Sequence, residues 1–278
     1  MHIIDGKKIS HSLLLELRKT IVDKNITPGL AIVLVGNDPA SHLYVEKKEE
    51  AAKKIGMDFN RYLSVETTPE KEIIDCIQFL NKDPDIHGII VQLPLPGNLN
   101  TDAIIKAIDP QKDADGFHPE NLSCLLANKH CPPPVTAASA LECLKASGEP
   151  LSNKKVAVVS KSDILYTPLQ YLLKAEGAVT EHFTELDTNI KKYDHIIIAL
   201  GQPKCLTKQY IKEGAVVVDI GIHRLTGDED SIEIVGDVDY ENVKDHVTAI
   251  TPVPGGVGPV TVAMLLKNTV DNCLKLQQ

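Results

Sequence analysis

The alternation of strand-like apolar runs with helical segments is the feature that most constrains the fold of this chain. Apolar runs at residues 30–35 and 85–91 predict strands, and the segments 154–159, 178–182, 194–200 and 214–221 are further strand candidates. Segments with helical periodicity, such as 9–24 and 69–80, lie between several of them. Strands that alternate with helices indicate parallel sheets, and 278 residues with 43% hydrophobic content suffice for two domains. We therefore predict a two-domain α/β protein.

Charge and composition exclude several classes of function. The net charge is −9, so the clustered basic surface that nucleic acid requires is not expected. No apolar run is long enough to span a bilayer, and the N-terminus lacks a leader pattern, so we expect a cytoplasmic protein without membrane contact.

The cysteines and histidines do not predict a metal site. The six cysteines form no CxxC pair, and the ten histidines form no HExxH motif. The separation of Cys124 and Cys131 fits no zinc pattern, and we expect most cysteines to be reduced, packed thiols.

The segment 35–57, VGNDPASHLYVEKKEEAAKKIGM, follows the first long strand and predicts a turn and then a helix. Ser41 can cap this helix, which should run to Ile55. Tyr44 and Lys48 are four residues apart, so they lie on one helix face near the carboxyl end of the strand, where α/β proteins place their chemistry. In isolation such a pair is more often a half-buried ring and a solvated charge.

Two further polar positions follow the strand at 85–91. The segment Gln92-Leu-Pro-Leu-Pro96 cannot extend a sheet ladder, so it predicts a stiff loop that holds Gln92 at the mouth of the same site as Lys48. Asp113 and Asp115 belong to an Asp-x-Asp-Gly sequence, in which isolated aspartates are usually caps or turn formers.

The prolines at 132–134 predict a linker into a second domain, where Thr136 caps a helix. There we predict a loop over 160–166 and a helix that starts at Thr167 and Pro168. The glycines at 255, 256 and 258 predict a loop that approaches a ligand closely and precedes a last helix over 260–274.

Several long motifs in order closely resemble one family. They are VGNDPASHLYVEKKEEAAKKIGM, HGIIVQLPLP, KDADGFHPEN, IKEGAVVVDIGI, VGDV and TPVPGGVGPVTVAML. The chain resembles, nearly end to end, the FolD-type bifunctional methylenetetrahydrofolate dehydrogenase/methenyltetrahydrofolate cyclohydrolases. The resemblance implies a folate-binding catalytic domain over 1–135, with 260–278 packing back onto it, and a Rossmann-type NAD(P)-binding domain over 136–259. It also implies a cleft between the domains and a homodimer.

The resemblance implies roles for the residues singled out above. Tyr44 is similar to the ring that stacks on the folate, and Lys48 to the lysine essential for the cyclohydrolase step. Gln92 resembles the side chain that orients that lysine, and Asp115 the carboxylate that accepts two donors from the pterin. The remaining expected site residues are Pro254, Gly255 and Gly256 for the substrate, and Ser160, Lys161, Ser162 and Ile222 for the cofactor, NADP or alternatively NAD.

The nucleotide loop departs from the family pattern Gly-Arg-Ser-x-x-Val-Gly-x-Pro. Ser160 and Tyr166 replace its two glycines, which make the tight turn and leave room for the pyrophosphate. Asp163 adds a negative charge near the helix N-terminus, whereas Lys161 and Ser162 keep a cation and a hydroxyl for the 2′-phosphate. His223, where asparagine is usual, either alters the cofactor fit or is a surface histidine.

The resemblance implies an enzyme of one-carbon folate metabolism. It would oxidise 5,10-methylenetetrahydrofolate with NADP and hydrolyse the methenyl product to 10-formyltetrahydrofolate. A monofunctional cyclohydrolase with a degenerate nucleotide loop and a non-catalytic folate-binding protein remain alternatives. A shikimate-type dehydrogenase would share the two-domain shape but not the QLPLP or PVPGGVGP segments.

Overall fold

A computed structural model describes residues 2–129, 131–226 and 232–277. The chain forms two compact units. The first unit comprises residues 11–135 and 262–278, and the second comprises 1–10 and 136–261. The first ten residues, predicted with the catalytic domain, group with the second unit because β1 pairs in parallel with β11.

The secondary structure alternates as the sequence predicts. The strands are β1 (His2–Ile3), β2 (Gly29–Val35), β3 (Asp58–Ser64), β4 (Gly88–Val91), β5 (Lys155–Ser160), β6 (Val179–Phe183), β7 (His195–Ala199), β8 (Val216–Asp219), β9 (His223–Thr226), β10 (Ile232–Val235) and β11 (Ala249–Ile250). The helices are α1 (Gly6–Lys24), α2 (Pro39–Ile55), α3 (Glu70–Lys82), α4 (Thr101–Lys106), α5 (Pro119–Leu126), α6 (Val135–Ala146), α7 (Asp163–Ala175), α8 (Tyr240–Val243) and α9 (Val257–Leu276).

The first unit contains a parallel sheet in the order β3-β2-β4. Every residue of the central strand β2 is buried, which explains its continuous apolar sequence. One face of the sheet packs on α3 through Ile73, Ile77 and Leu80. The carboxyl ends of β2 and β4 therefore lie side by side, and the segments that leave them carry Lys48 and Gln92.

The second unit contains a six-stranded parallel sheet in the order β1-β11-β8-β7-β5-β6. The chain passes from β5 to β6 on one side and then to β7 on the other. This reversal beside β5 is the topological switch point at which doubly wound sheets bind their ligands. Ser160 ends β5 at that point. The predicted α/β fold with parallel sheets is confirmed.

Some predicted boundaries were wrong. The strand predicted over 85–91 begins only at Gly88, and α6 begins at Val135, so Thr136 lies inside that helix instead of capping it. The largest error concerns α7, which begins at Asp163 with Ser162 as its N-cap. Pro168, predicted at the first helical position, lies inside the helix. The Ser162 hydroxyl accepts a bond from the Ile164 amide and so starts the helix earlier.

Candidate active site

The helix α2 presents Tyr44 and Lys48 after the end of β2. Its N-cap is Asp38, not Ser41 as predicted. The Asp38 carboxylate accepts bonds from the Ser41 amide at 2.9 Å and the Ser41 hydroxyl at 2.7 Å. Asp38 precedes Pro39, which occupies the first helical turn, so the helix starts two residues before Ser41. Tyr44 and Lys48 both belong to this helix and are separated by one turn, as predicted.

Lys48 and Gln92 are in direct contact. The Lys48 Nζ donates a hydrogen bond to Gln92 Oε1 at 2.9 Å. The Gln92 Nε2 donates to the Leu93 carbonyl at 2.7 Å, and the backbone amide of Gln92 donates to the Val33 carbonyl of β2. The bond from Nε2 to the Leu93 carbonyl fixes which end of the side-chain amide faces Lys48, so Gln92 presents its oxygen, an acceptor, to the ammonium.

Lys48 and Asp115 interact electrostatically. Burial lowers the pKa of Lys48, and the opposite charge of Asp115 counteracts this shift. Burial raises the pKa of Asp115 to about 6, and here Lys48 lowers the pKa while Asp113 raises it. Shifted pKa values of a neighbouring amine and carboxyl are typical of sites that move protons.

Asp113 anchors the turn that carries Asp115. It is buried, and its carboxylate accepts bonds from the backbone amides of Gly116 at 3.0 Å and His118 at 2.8 Å. The Asn121 side chain donates a third bond at 3.0 Å. The turn-former interpretation is thus correct for Asp113, whereas Asp115 lies close enough to Lys48 for their charges to interact.

Tyr44 offers a ring at the surface of the first unit. Its relative exposure is 39%, although partial burial raises the pKa of its phenol. Leu43 beside it is also exposed. An accessible ring with a polar tip suits stacking on a flat heterocycle.

The segment 254–256 lies in the second unit and precedes α9. The Val253–Pro254 peptide is cis, and Gly255 has a φ of +106°. A Cβ on Gly256 would lie 2.5 Å from the Pro252 carbonyl oxygen, so this backbone is tightly packed. The role of Pro254, Gly255 and Gly256 in substrate binding stays a prediction.

The nucleotide loop contains a stacked pair that the sequence did not reveal. The Tyr166 ring lies on the His182 ring with centroids 4.2 Å apart and an interplanar angle of 9°. The His182 Nε2 lies 3.1 Å from the Ser160 hydroxyl and 2.9 Å from the Ser160 carbonyl oxygen. Lys161 and Ser162 remain exposed beside this group. Both departures from the family pattern therefore belong to one packed cluster.

The position of His182 in the chain is a signal by which its place at the nucleotide loop could have been predicted. It lies near the carboxyl end of β6, the strand after the nucleotide loop, where Rossmann folds place groups that face the cofactor ribose. The sequence pattern of β6 indicates only a strand, so the contact of His182 with the nucleotide loop was not predicted.

Ile222 and His223 follow β8. Ile222 is exposed, and its role in cofactor binding stays a prediction. The His223 Nε2 lies 2.7 Å from the buried carboxylate of Asp237. That carboxylate also accepts backbone bonds from Leu200, Gly201 and Gln202. His223 therefore contributes to the internal hydrogen bonding of the second unit.

Two family descriptions match most of this chain. The family described as "Tetrahydrofolate dehydrogenase/cyclohydrolase, catalytic domain" matches residues 4–115, and its "NAD(P)-binding domain" matches residues 134–277. A bifunctional protein FolD of Nautilia profundicola is 43% identical, and the alignment covers 97% of this chain and 96% of that protein.

Solved structures show the same similarity. The crystal structure of the bifunctional enzyme FolD from Campylobacter jejuni has a TM-score of 0.91 at 37% identity, covering 99% of each chain. The Trypanosoma brucei FolD, complexed with NADP cofactor and inhibitor, has a TM-score of 0.92 at 32% identity, covering 98% of this chain and 97% of that one.

The fold and the site define a two-domain α/β enzyme with a catalytic domain and an NAD(P)-binding domain. The chain belongs to the tetrahydrofolate dehydrogenase/cyclohydrolase family. The predicted family is thereby confirmed, and the shikimate-type alternative is excluded.

Proposed function

We propose that this enzyme oxidises 5,10-methylenetetrahydrofolate with NADP and hydrolyses the methenyl product to 10-formyltetrahydrofolate. The contact between Lys48 and Gln92 next to Asp115 carries the proposal. These groups match the acid–base and pterin-binding functions that the reaction requires, and the family membership supports both activities.

In the hydrolytic step, water adds to the methenyl carbon and a proton must be moved. Because burial lowers the pKa of Lys48, its amine can exchange a proton more readily than a solvated lysine. Gln92 accepts a bond from Nζ and so orients the amine. Asp115 supplies the carboxylate that accepts two N–H donors of the pterin, and Tyr44 supplies the stacking ring.

Replacement of Lys48 tests the hydrolytic role. We expect Lys48→Met to lower the rate of methenyltetrahydrofolate hydrolysis about 10²- to 10⁴-fold, because the positioned acid–base group is lost. Folate binding, followed by fluorescence titration, should change little. Lys47→Met is the matched control, because Lys47 is an exposed neighbour on the same helix. Wild-type protein that binds folate without turnover above buffer would support the non-catalytic alternative.

NADP would bind at the switch point beside β5, next to the nucleotide loop. Bound NADP supplies the hydride acceptor. Lys161 and Ser162 are exposed and would hold the 2′-phosphate, and Ile222 would contact the cofactor from the end of β8. The Tyr166 ring stacks on His182, and the Ser160 hydroxyl is hydrogen-bonded within that cluster.

A monofunctional cyclohydrolase is the second candidate, favoured by this same stack. The Tyr166 ring occupies space that a glycine would leave open for the pyrophosphate. In an assay with methylenetetrahydrofolate and either NADP or NAD, the bifunctional enzyme should form reduced nicotinamide. Hydrolysis without any nicotinamide reduction would establish the second candidate.

Substitution of Tyr166 measures how far the ring obstructs the cofactor. If the ring obstructs the cofactor, Tyr166→Gly should lower the Kd for NADP about threefold or more, as measured by calorimetric titration. Tyr166→Phe is the matched control, because it keeps the ring and loses only the hydroxyl that accepts a bond from Gln170. Unchanged NADP affinity in both variants would show that the ring does not limit binding.

We further infer a cytoplasmic homodimer whose folate domain spans 1–135, with 260–278 packing back, and whose nucleotide domain spans 136–259. No helix among the described residues has the length and apolarity to cross a membrane. Light scattering coupled to gel filtration tests the dimer, since a monomeric mass at micromolar concentration would contradict it.

A further inference from the structure

Cys124 and Cys131 are joined by a disulfide that the proposed chemistry does not use. Their Cα atoms are 6.1 Å apart, within the range that a disulfide requires. The other cysteines, Cys76, Cys143, Cys205 and Cys273, are free, as the sequence predicted for most of the six.

The disulfide links two segments that hold the turn of Asp113 and Asp115. Cys124 belongs to α5, and Asn121 of this helix donates to the Asp113 carboxylate at 3.0 Å. Cys131 begins the segment 131–135, and the Val135 amide at its end donates to the Asp115 carbonyl at 3.1 Å. The disulfide therefore closes a ring of contacts around the turn.

Packing tightens this arrangement. A Cβ on Gly116 would lie 2.6 Å from the Pro133 carbonyl, so the segment 131–135 lies directly against the turn. The Asn268 side chain of α9 donates to the Ala114 carbonyl at 2.9 Å and to the Pro133 carbonyl at 3.2 Å. A shift of the segment would disturb the backbone on both sides of Asp115.

The disulfide is open to exchange, whereas the other cysteines are poorly suited to it. Cys124 and Cys131 are both partly exposed. Cys143 and Cys273 are buried, and burial raises the pKa of the thiols of Cys143 to about 12 and Cys205 to about 11. Since the thiolate is the reactive form, these thiols are unreactive near neutral pH.

We propose that Cys124 and Cys131 form a reversible thiol–disulfide exchange site that controls how firmly Asp115 is held, and hence the affinity for the folate substrate. The effect on affinity rests on the proposed function of Asp115. The co-reactant is a dithiol. One of its thiolates attacks a cysteine sulfur, the Cys124–Cys131 bond breaks, and a mixed disulfide forms. The second thiolate of the dithiol then attacks the mixed disulfide and releases the protein with both cysteines as thiols. Two electrons and two protons thus pass to the protein, and the dithiol becomes a disulfide.

The experiment compares the full-length protein in two redox states. One sample is treated with oxidised glutathione and the other with dithiothreitol, and free thiols are then alkylated and mapped by mass spectrometry. Hydrolysis of methenyltetrahydrofolate is measured after rapid removal of the reagents. We expect KM to be about three- to tenfold higher in the reduced protein, because the loosened segment must then be immobilised on binding. The kcat should change by less than twofold, because the contact between Lys48 and Gln92 is not altered.

Variants separate this site from a general effect of oxidation. Cys124→Ser and Cys131→Ser should each show the high KM of the reduced protein and no response to dithiothreitol. Cys76→Ser is the matched control, because it removes a partly buried thiol outside the pair and should keep the full response. Thermal unfolding of every variant guards against a folding defect, and the redox response of the wild type does not depend on any variant.

Each outcome decides the proposal. Alkylation of both cysteines after oxidation, at every glutathione ratio tried, would overturn it, as would equal KM values in the two redox states. If neither state hydrolyses the substrate, the proposed function fails, while mass mapping still reports whether the exchange occurs. In that case, equal folate affinity of the two states by fluorescence titration would also overturn the proposal.

Discussion

At the scale of single residues, the site depends on how burial changes the charges of Lys48 and Asp115. Each group is partly withdrawn from water, which disfavours its charged form, and each partly restores the charge of the other. Gln92 adds a neutral acceptor that holds the amine without a further charge. An amine held in this way can exchange a proton while the carboxylate binds the substrate.

The raised pKa of Asp115, about 6, predicts the pH dependence of substrate binding. Below that pH the carboxyl is protonated and no longer accepts two donors, so KM for methenyltetrahydrofolate should rise about tenfold for each unit of pH below 6. Above it the carboxylate predominates and KM should be level. Initial rates between pH 5 and 8 measure this. Asp115→Asn should have a high KM that does not rise further below pH 6. A rise in KM at acidic pH that persists in this variant would assign the titration to another group.

The same pKa shift has a consequence for stability. An acid whose pKa is raised by folding binds its proton more tightly in the native state, so its contribution to stability falls as the pH rises from about 4 to about 6. Asp115 is therefore held in its charged form at neutral pH against the tendency of its surroundings. Active sites commonly retain such groups at the expense of stability.

At the scale of the elements, caps determined where α2 and α7 begin. Alternation of apolar runs with periodic segments predicted nearly every long strand and helix. The starts of α2 and α7 were misplaced because several residues near each start can cap, and the sequence does not show which side chain reaches the backbone. Asp38 caps α2 ahead of Ser41, and Ser162 caps α7 ahead of Thr167. Short strands such as β9 and β10 were missed because their pattern is brief.

The C-terminal end of α2 offers a clean test of capping. Gly56 adopts a φ of +80°, and a Cβ there would meet no atom within 4 Å. Gly56→Ala should therefore destabilise the protein by about 1 kcal/mol through backbone strain alone. Gly97→Ala is the matched control, since it also has open space but no positive φ. Urea unfolding monitored by circular dichroism measures both, and equal losses would show that the cap is not responsible.

At the scale of the whole molecule, the two units place their chemistry on the same kind of edge. In each, the carboxyl ends of parallel strands carry the polar groups: Gln92 after β4 in the first unit, and Ser160 at the end of β5 in the second. Loops at that edge of the second unit are joined by Asp237, whose side chain is fully buried and accepts three backbone bonds and one from His223.

Replacement of Asp237 tests this network. In Asp237→Asn, the side-chain NH2, itself a donor, must face two of the donors that now bond to one carboxylate oxygen. The free energy of unfolding should therefore fall by about 2 to 3 kcal/mol. Asp245→Asn is the matched control, because Asp245 is exposed. Denaturant titration of both variants measures the difference. A loss in Asp237→Asn no larger than in the control would mean that ordered water replaces the missing acceptor.

The sequence by itself determined the α/β class, the family, and the placement of Tyr44 and Lys48 on one helix face, because these follow from periodicity and from long motifs. The sequence predicted that Lys48 and Gln92 share a site, but only the tertiary structure decided which of their atoms meet. The tertiary structure also decided that Asp113 anchors the turn while Asp115 interacts with the amine, and that Tyr166 stacks on His182. It also brought Cys124 and Cys131 together. These contacts join segments far apart in the chain or depend on the path of a loop, which local residue preferences do not specify.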